Sequence, residues 1–72
     1  MKGDINMKMK CTCKENFEIN DVLVAVKGDL LEVVDATDGY CDIHNLTTGK
    51  IYEATWSEAE DYEAITDVTW LD

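Results

Sequence analysis

From Met7 the chain alternates. Met7, Met9, Cys11 and Cys13 fall on one side, and Lys8, Lys10, Thr12 and Lys14 on the other. A period of two with an apolar and a cationic face predicts a half-buried strand. Lysines on the outer face suit a strand at a sheet edge. Phe17 and Ile19 lead into the turn pair Asn20-Asp21, and Val22 to Val26 is an apolar, β-branched run that predicts a short buried strand. Lys27-Gly28-Asp29 is a turn. Leu30 to Val34 is the next strand, with Leu31 and Val33 on one face. Asp35-Ala36-Thr37-Asp38-Gly39 predicts a hairpin, because Asp-Gly tolerates the positive φ of a tight turn.

Tyr40 to Leu46 returns as a strand with Cys41 and Ile43 on one face and Tyr40, Asp42 and His44 on the other. Thr47-Thr48-Gly49 turns into a strand over Ile51 to Thr55. The pattern then changes. Ser57 reads as an N-cap with Glu60 three residues on, and Trp56 is placed as a hydrophobic staple, so a short helix is expected over 57–63. Ala59 and Tyr62 are its inward positions. Ile65, Val68 and Trp70 predict a terminal strand. Residues 1–6 are read as a flexible N-terminal segment and 7–72 as one domain. Translation from Met1 or from Met7 fits the pattern equally.

Short strands at about ten-residue spacing, joined by glycine turns, predict a small antiparallel β structure. Lys27-Gly28-Asp29-Leu30-Leu31-Glu32-Val33-Val34-Asp35, Asp38-Gly39-Tyr40 and Asn45-Leu46-Thr47-Thr48-Gly49-Lys50 resemble the central strands of an SH3-like barrel, over roughly residues 21–52. The resemblance implies a mainly β fold: a barrel of about five antiparallel strands with one short helix in the C-terminal half. It does not extend to Pro-rich ligand binding. Tyr40-Cys41 stands where peptide-binding SH3 domains carry a tryptophan pair, and a helix replaces their final Pro-Tyr motif. In size, charge and the Asn-Leu-Thr-Thr-Gly-Lys turn, the chain also loosely resembles small acidic proteins encoded by phages and prophages.

Charge changes the picture most. The 72 residues carry six lysines, no arginine and sixteen acids, for a net charge of −10. Four of the lysines lie in residues 1–14, and no base follows Lys50. Such a surface opposes binding to a nucleic-acid backbone and complements a basic protein surface. Asp29, Glu32, Asp35, Asp38, Asp42, Glu53, Glu58, Glu60, Asp61 and Glu63 are the acids available for a concentrated array. Of these Asp35, Asp38, Asp42, Glu53, Glu58, Glu60, Asp61 and Glu63 are the candidate partner contacts, with Tyr40 as their exposed aromatic anchor.

The expected function is therefore a non-enzymatic acidic binding protein that docks on the basic groove of a nucleic-acid-handling or defence protein, as a phage-type inhibitor or nucleic-acid mimic would. Two alternatives are a small structural or assembly module acting through a sheet edge or aromatics, and a zinc-stapled domain. The zinc set would be Cys11, Cys13, Cys41 and His44. Its spacing is poor, since Cys11 and Cys13 lie in an alternating strand and Cys41 and His44 point to opposite faces. The same residues read more simply as core thiols and a surface imidazole. No spacing supports a catalytic Cys–His pair, an EF-hand loop or a phosphate loop. No cofactor, direct nucleic-acid contact or membrane contact is expected. With no apolar leader or spanning run, the chain reads as a cytoplasmic monomer or weak homo-oligomer with reduced cysteines.

Overall fold

The computed structural model describes residues 8–61 and 63–71. In chain order it contains β1 (Lys8–Cys13), β2 (Phe17–Ile19), β3 (Val22–Ala25), β4 (Leu30–Asp35), β5 (Tyr40–Asn45), β6 (Lys50–Thr55), α1 (Trp56–Ala59) and β7 (Ile65–Leu71). Every strand pairing is antiparallel. Five strands form one sheet in the order β6-β5-β4-β1-β7, and β2-β3 is a separate hairpin. The expectations for residues 1–6, for Met7 at a strand start and for Tyr62 in a helix lie outside the described residues.

The alternation read from the sequence sets the faces of the sheet. Met9 is opposite Val33 and Cys11 opposite Leu31. Val33 in turn faces Ile43, and Leu31 faces Asn45. These side chains are almost wholly buried on the inner face. The hairpin β2-β3 covers that face and inserts Phe17, Val24 and Ala25 into the same core. Removing a large aliphatic or aromatic side chain of this kind from water contributes about 1.5–3 kcal/mol.

The tight turns follow their residues. Asn20 and Asp21 both have positive φ, at 51° and 66°. They form the two-residue loop between the paired Ile19 and Val22. Asp38 and Gly39 have φ of 36° and 85°, and the Tyr40 N–H closes their turn on the Thr37 carbonyl at 2.7 Å. Positive φ at both central positions suits the right-handed strand twist.

Four expectations are corrected. Among the described residues seven strands form rather than about five, because Phe17–Ile19 pairs as a short strand and the hairpin it makes stands apart from the main five-stranded sheet. β1 is not an edge strand, since it pairs with β4 on one side and β7 on the other. Its lysines are outer-face residues of an interior strand, and Lys10 lies opposite Glu32. The Val22 to Val26 run is not buried throughout. Val22, Leu23 and Val26 are 52%, 46% and 42% exposed, because among the described residues β3 is paired only with β2. Finally, the helix is Trp56–Ala59 rather than 57–63, and its N-cap is Thr55 rather than Ser57.

Two capping boxes overlap here, Thr55-x-x-Glu58 and Ser57-x-x-Glu60. The first one forms. The Glu58 N–H donates to Thr55 Oγ1 at 3.2 Å, and the Thr55 N–H donates to Glu58 Oε1 at 2.9 Å. Thr55 wins because it ends β6 in extended conformation, with φ −88° and ψ 159°. The Trp56 N–H is also held by the Gly39 carbonyl at 2.9 Å. The helix stops after one turn. No base lies in its last turn, and Glu60 and Asp61 follow, where the helix dipole disfavours negative charge.

Candidate functional site

The hairpin turn 36–39, the start of β5, the end of β6 and α1 meet at one end of the sheet. Tyr40 is opposite Thr55, Cys41 opposite Ala54 and Asp42 opposite Glu53. Asp35 is half-buried and accepts a 2.8 Å hydrogen bond from Trp56 Nε1. The Trp56 ring packs in a tilted contact on Trp70, with centroids 5.7 Å apart. Glu58 is held by the capping box and also accepts from Asn20 Nδ2 at 2.9 Å. The backbone of Thr55, then the side chains of Asn20 and Thr55, keep its carboxyl below the usual range.

Electrostatics at this end is readable from Cys41. Burial pushes its thiol up to about 11, and the charges of Asp42, Asp35, Glu58 and Glu60 add to the rise. The charges of four of the predicted partner-binding acids are thus felt at one buried thiol. Asp38 and Tyr40 are exposed on the adjoining turn, with Tyr40 at 55%. Asp42 and Glu53 face each other directly across β5 and β6, an arrangement that costs stability between like charges.

Other candidates are placed differently. Asp61 and Glu63 are exposed beyond α1, where Asp61 Oδ1 accepts from the Glu63 N–H at 3.1 Å. Asp29 does not contribute to a surface array: it is only 7% exposed. Hydrogen bonds from Asn45 and from the Val26 N–H hold its carboxyl below the usual range. Glu32 lies between Lys10 and His44 on the outer face. Acids thus dominate the β5-β6-α1 end, while Lys8 and Lys10 occupy β1.

The three thiols are free and buried on the inner face, whereas His44 is half-buried on the outer one. Among the described residues, no group of three or more His, Cys, Asp or Glu side chains is arranged to hold a metal ion. Burial also raises the thiols of Cys11 and Cys13 to about 11, aided by each other's proximity for Cys11 and by Asp29 for Cys13. Neutral thiols are poor nucleophiles and poor ligands.

Asn45 carries no functional signature in the sequence, although the Asn-Leu-Thr-Thr-Gly turn it opens is visible there. It is 2% exposed, and its amide is saturated. Nδ2 donates to the Val24 carbonyl and to Asp29 Oδ2, each at 3.0 Å. Oδ1 accepts from the N–H groups of Thr47 at 3.0 Å and Thr48 at 3.1 Å. It ties β3 to the end of β5, while the Asn20–Glu58 bond ties the tip of the same hairpin to α1. Between these anchors β3 and β6 stay apart. Two open hollows of about 240 and 260 Å3 lie between them, sharing Val24 and Tyr52 as their common wall.

Among the described residues no helix is long and apolar enough to cross a membrane. The chain matches no protein-family model, no curated protein and no solved structure.

Proposed function

We propose that this protein is a non-enzymatic acidic binding protein whose carboxylate-rich end docks on a basic protein surface. The observation that carries the reading is the gathering of Asp35, Asp42, Glu53 and Glu58 at the β5-β6-α1 end through the strand register, the Trp56–Asp35 bond and the Thr55–Glu58 cap, next to exposed Asp38 and Tyr40. The net charge of −10 gives that end a field able to steer a cationic partner. In its concrete form the partner is a groove built for a nucleic-acid backbone, and the protein acts as a phage-type inhibitor that fills it. The finer fold assignment, an SH3-like barrel, belongs to the same proposal and rests on the resemblance over residues 21–52.

The test is inhibition of a panel of purified nucleases, with duplex DNA as competitor, at about 0.05 M and about 0.5 M salt, across which charge screening tightens strongly. Competitive inhibition that weakens steeply with salt is the expected result. Binding that ignores salt, or that survives reversal of Asp38, Asp42 and Glu60 to lysine, refutes it.

A second reading, an assembly module, is favoured by the edge strands β6 and β7 and by exposed Ile51 and Trp70. Light scattering after size exclusion separates the two: stable oligomers at micromolar concentration support the module.

A further inference from the structure

We infer that the groove between β3 and β6 is a docking slot for one extended, basic-and-apolar segment of a partner protein, added as a strand to the edge of β6. The inference rests on the reading of an acidic protein that seeks a basic partner, and it specifies how that partner is held.

Among the described residues both walls are strands with a neighbour on one side only: β3 pairs with β2, and β6 with β5. Half of the peptide groups of such a strand point away from its neighbour and are available to another chain. The groove floor is apolar. Val24 and Tyr52 divide it into two hollows. Val22, Leu23 and Val26, all close to half exposed, line its β3 side. Consecutive exposed aliphatics beside a free edge mark a surface that gains by being covered. A strand places alternate side chains about 6.6–6.8 Å apart on one face. Two adjacent hollows thus suit residues i and i+2 of a bound segment, with backbone bonds giving affinity and the hollows giving selectivity.

Charge selects the occupant. Glu53 lines one hollow together with Asn20, and Asn20 holds Glu58 beside it. Asp21 stands in the same turn. The other hollow has Lys50 in its lining, and its acid, Asp29, is already bound by Asn45. The slot is therefore negative at its β2-β3 turn end and continuous there with the acidic end of the sheet. An extended segment whose lysines or arginines lie at that end, alternating with valine or isoleucine, satisfies both features. A second copy of this chain fits less well, because it would bring more acids to the same rim.

The probe is a blocked seven-residue peptide alternating lysine and valine, titrated into 15N-labelled protein. Its companions carry glutamate for lysine, or methylated amides on the edge that would face β6. Expected are shifts and slowed amide exchange at Val22–Val26 and Lys50–Thr55, and loss of binding by both companions. Leu23→Gln, at an exposed position that keeps the fold, should weaken the lysine peptide about tenfold, the factor expected for losing one partly buried aliphatic contact. Equal binding of the methylated peptide overturns the strand slot, as does homodimerisation through β6. Shifts confined to Asp38–Tyr40 and Glu60–Glu63 overturn the slot but leave the acidic docking function standing. Failure of the peptide together with failure of every basic enzyme in the panel overturns both.

Discussion

Replacing Asn45 by alanine tests how the β2-β3 hairpin is held over the sheet. The wild-type amide makes four hydrogen bonds from a nearly inaccessible site. In Asn45→Ala the Thr47 and Thr48 N–H groups, at an exposed turn, can turn to water. The Val24 carbonyl and Asp29 Oδ2 sit deeper and lose a donor. Asp29 keeps only the Val26 N–H, at 3.1 Å. Stranding a buried acceptor costs about 1–3 kcal/mol, more where it is charged, so the two together cost roughly 2–6 kcal/mol. A domain of this size has roughly 3–5 kcal/mol in total. Urea unfolding followed by Trp56 and Trp70 fluorescence should therefore show the variant largely unfolded or close to it. A loss below about 1 kcal/mol would refute the claim that this amide anchors the hairpin.

The pH dependence sharpens the test. Asp29 has a lowered folded-state pKa, and the Asn45 bond is the largest cause. Its contribution is present above the unfolded carboxyl value of about 3.9 and is lost as pH falls through the folded value. Wild-type stability should fall in that acid window, and Asn45→Ala should fall less steeply there. Asn45→Asp reverses the sign: a second carboxylate beside Asp29 is tolerated only when protonated, so this variant should lose stability as pH rises.

Further expectations concern the cap, the charges and the thiols. Thr55→Ala removes the acceptor of the Glu58 N–H and should lower stability by about 1 kcal/mol, as loss of an N-cap generally does. Urea midpoints check this, and no change would mean that Ser57 takes over the cap. Glu53→Lys relieves the Asp42–Glu53 confrontation and should raise stability by about 0.2–1 kcal/mol, while weakening any basic partner. A variant that is destabilised and binds normally contradicts both the register and the function. Cys11, Cys13 and Cys41 should react with a maleimide at pH 8 only through unfolding, since each thiol is buried and raised to about 11. Immediate labelling of any one would show that its burial is wrong.

Acids set the balance between stability and binding. Asp35, Glu58 and Asp29 are committed to hydrogen bonds that hold Trp56, α1 and Asn45. Their removal harms the fold. Asp38, exposed in its turn, and Glu53, exposed on β6, make no side-chain hydrogen bond of that kind among the described residues, so charge changes there should disturb the fold less than changes at Asp35, Glu58 or Asp29.

The local pattern alone determined β1, β3, β4, β5, β6 and β7, most of the inward residues and the tight turns, while the three-residue β2 is too short to read from it. Alternation fixes which side chains share a face, and Asn-Asp and Asp-Gly accept positive φ wherever they stand. That is why Met9, Cys11, Leu31, Val33, Cys41 and Ile43 are legible as core before any contact is known. The acidic excess is legible for the same reason, being a sum over residues. Tertiary structure decided the rest. Which strand is interior, which of two overlapping caps forms, and whether an apolar run is covered all depend on partners far along the chain. The bonds Asn45–Val24, Trp56–Asp35 and Asn20–Glu58 span 21, 21 and 38 residues. No local pattern reveals them, and they tie the β2-β3 hairpin to β5 and α1 and fix Asp35 and Glu58 at one end of the sheet.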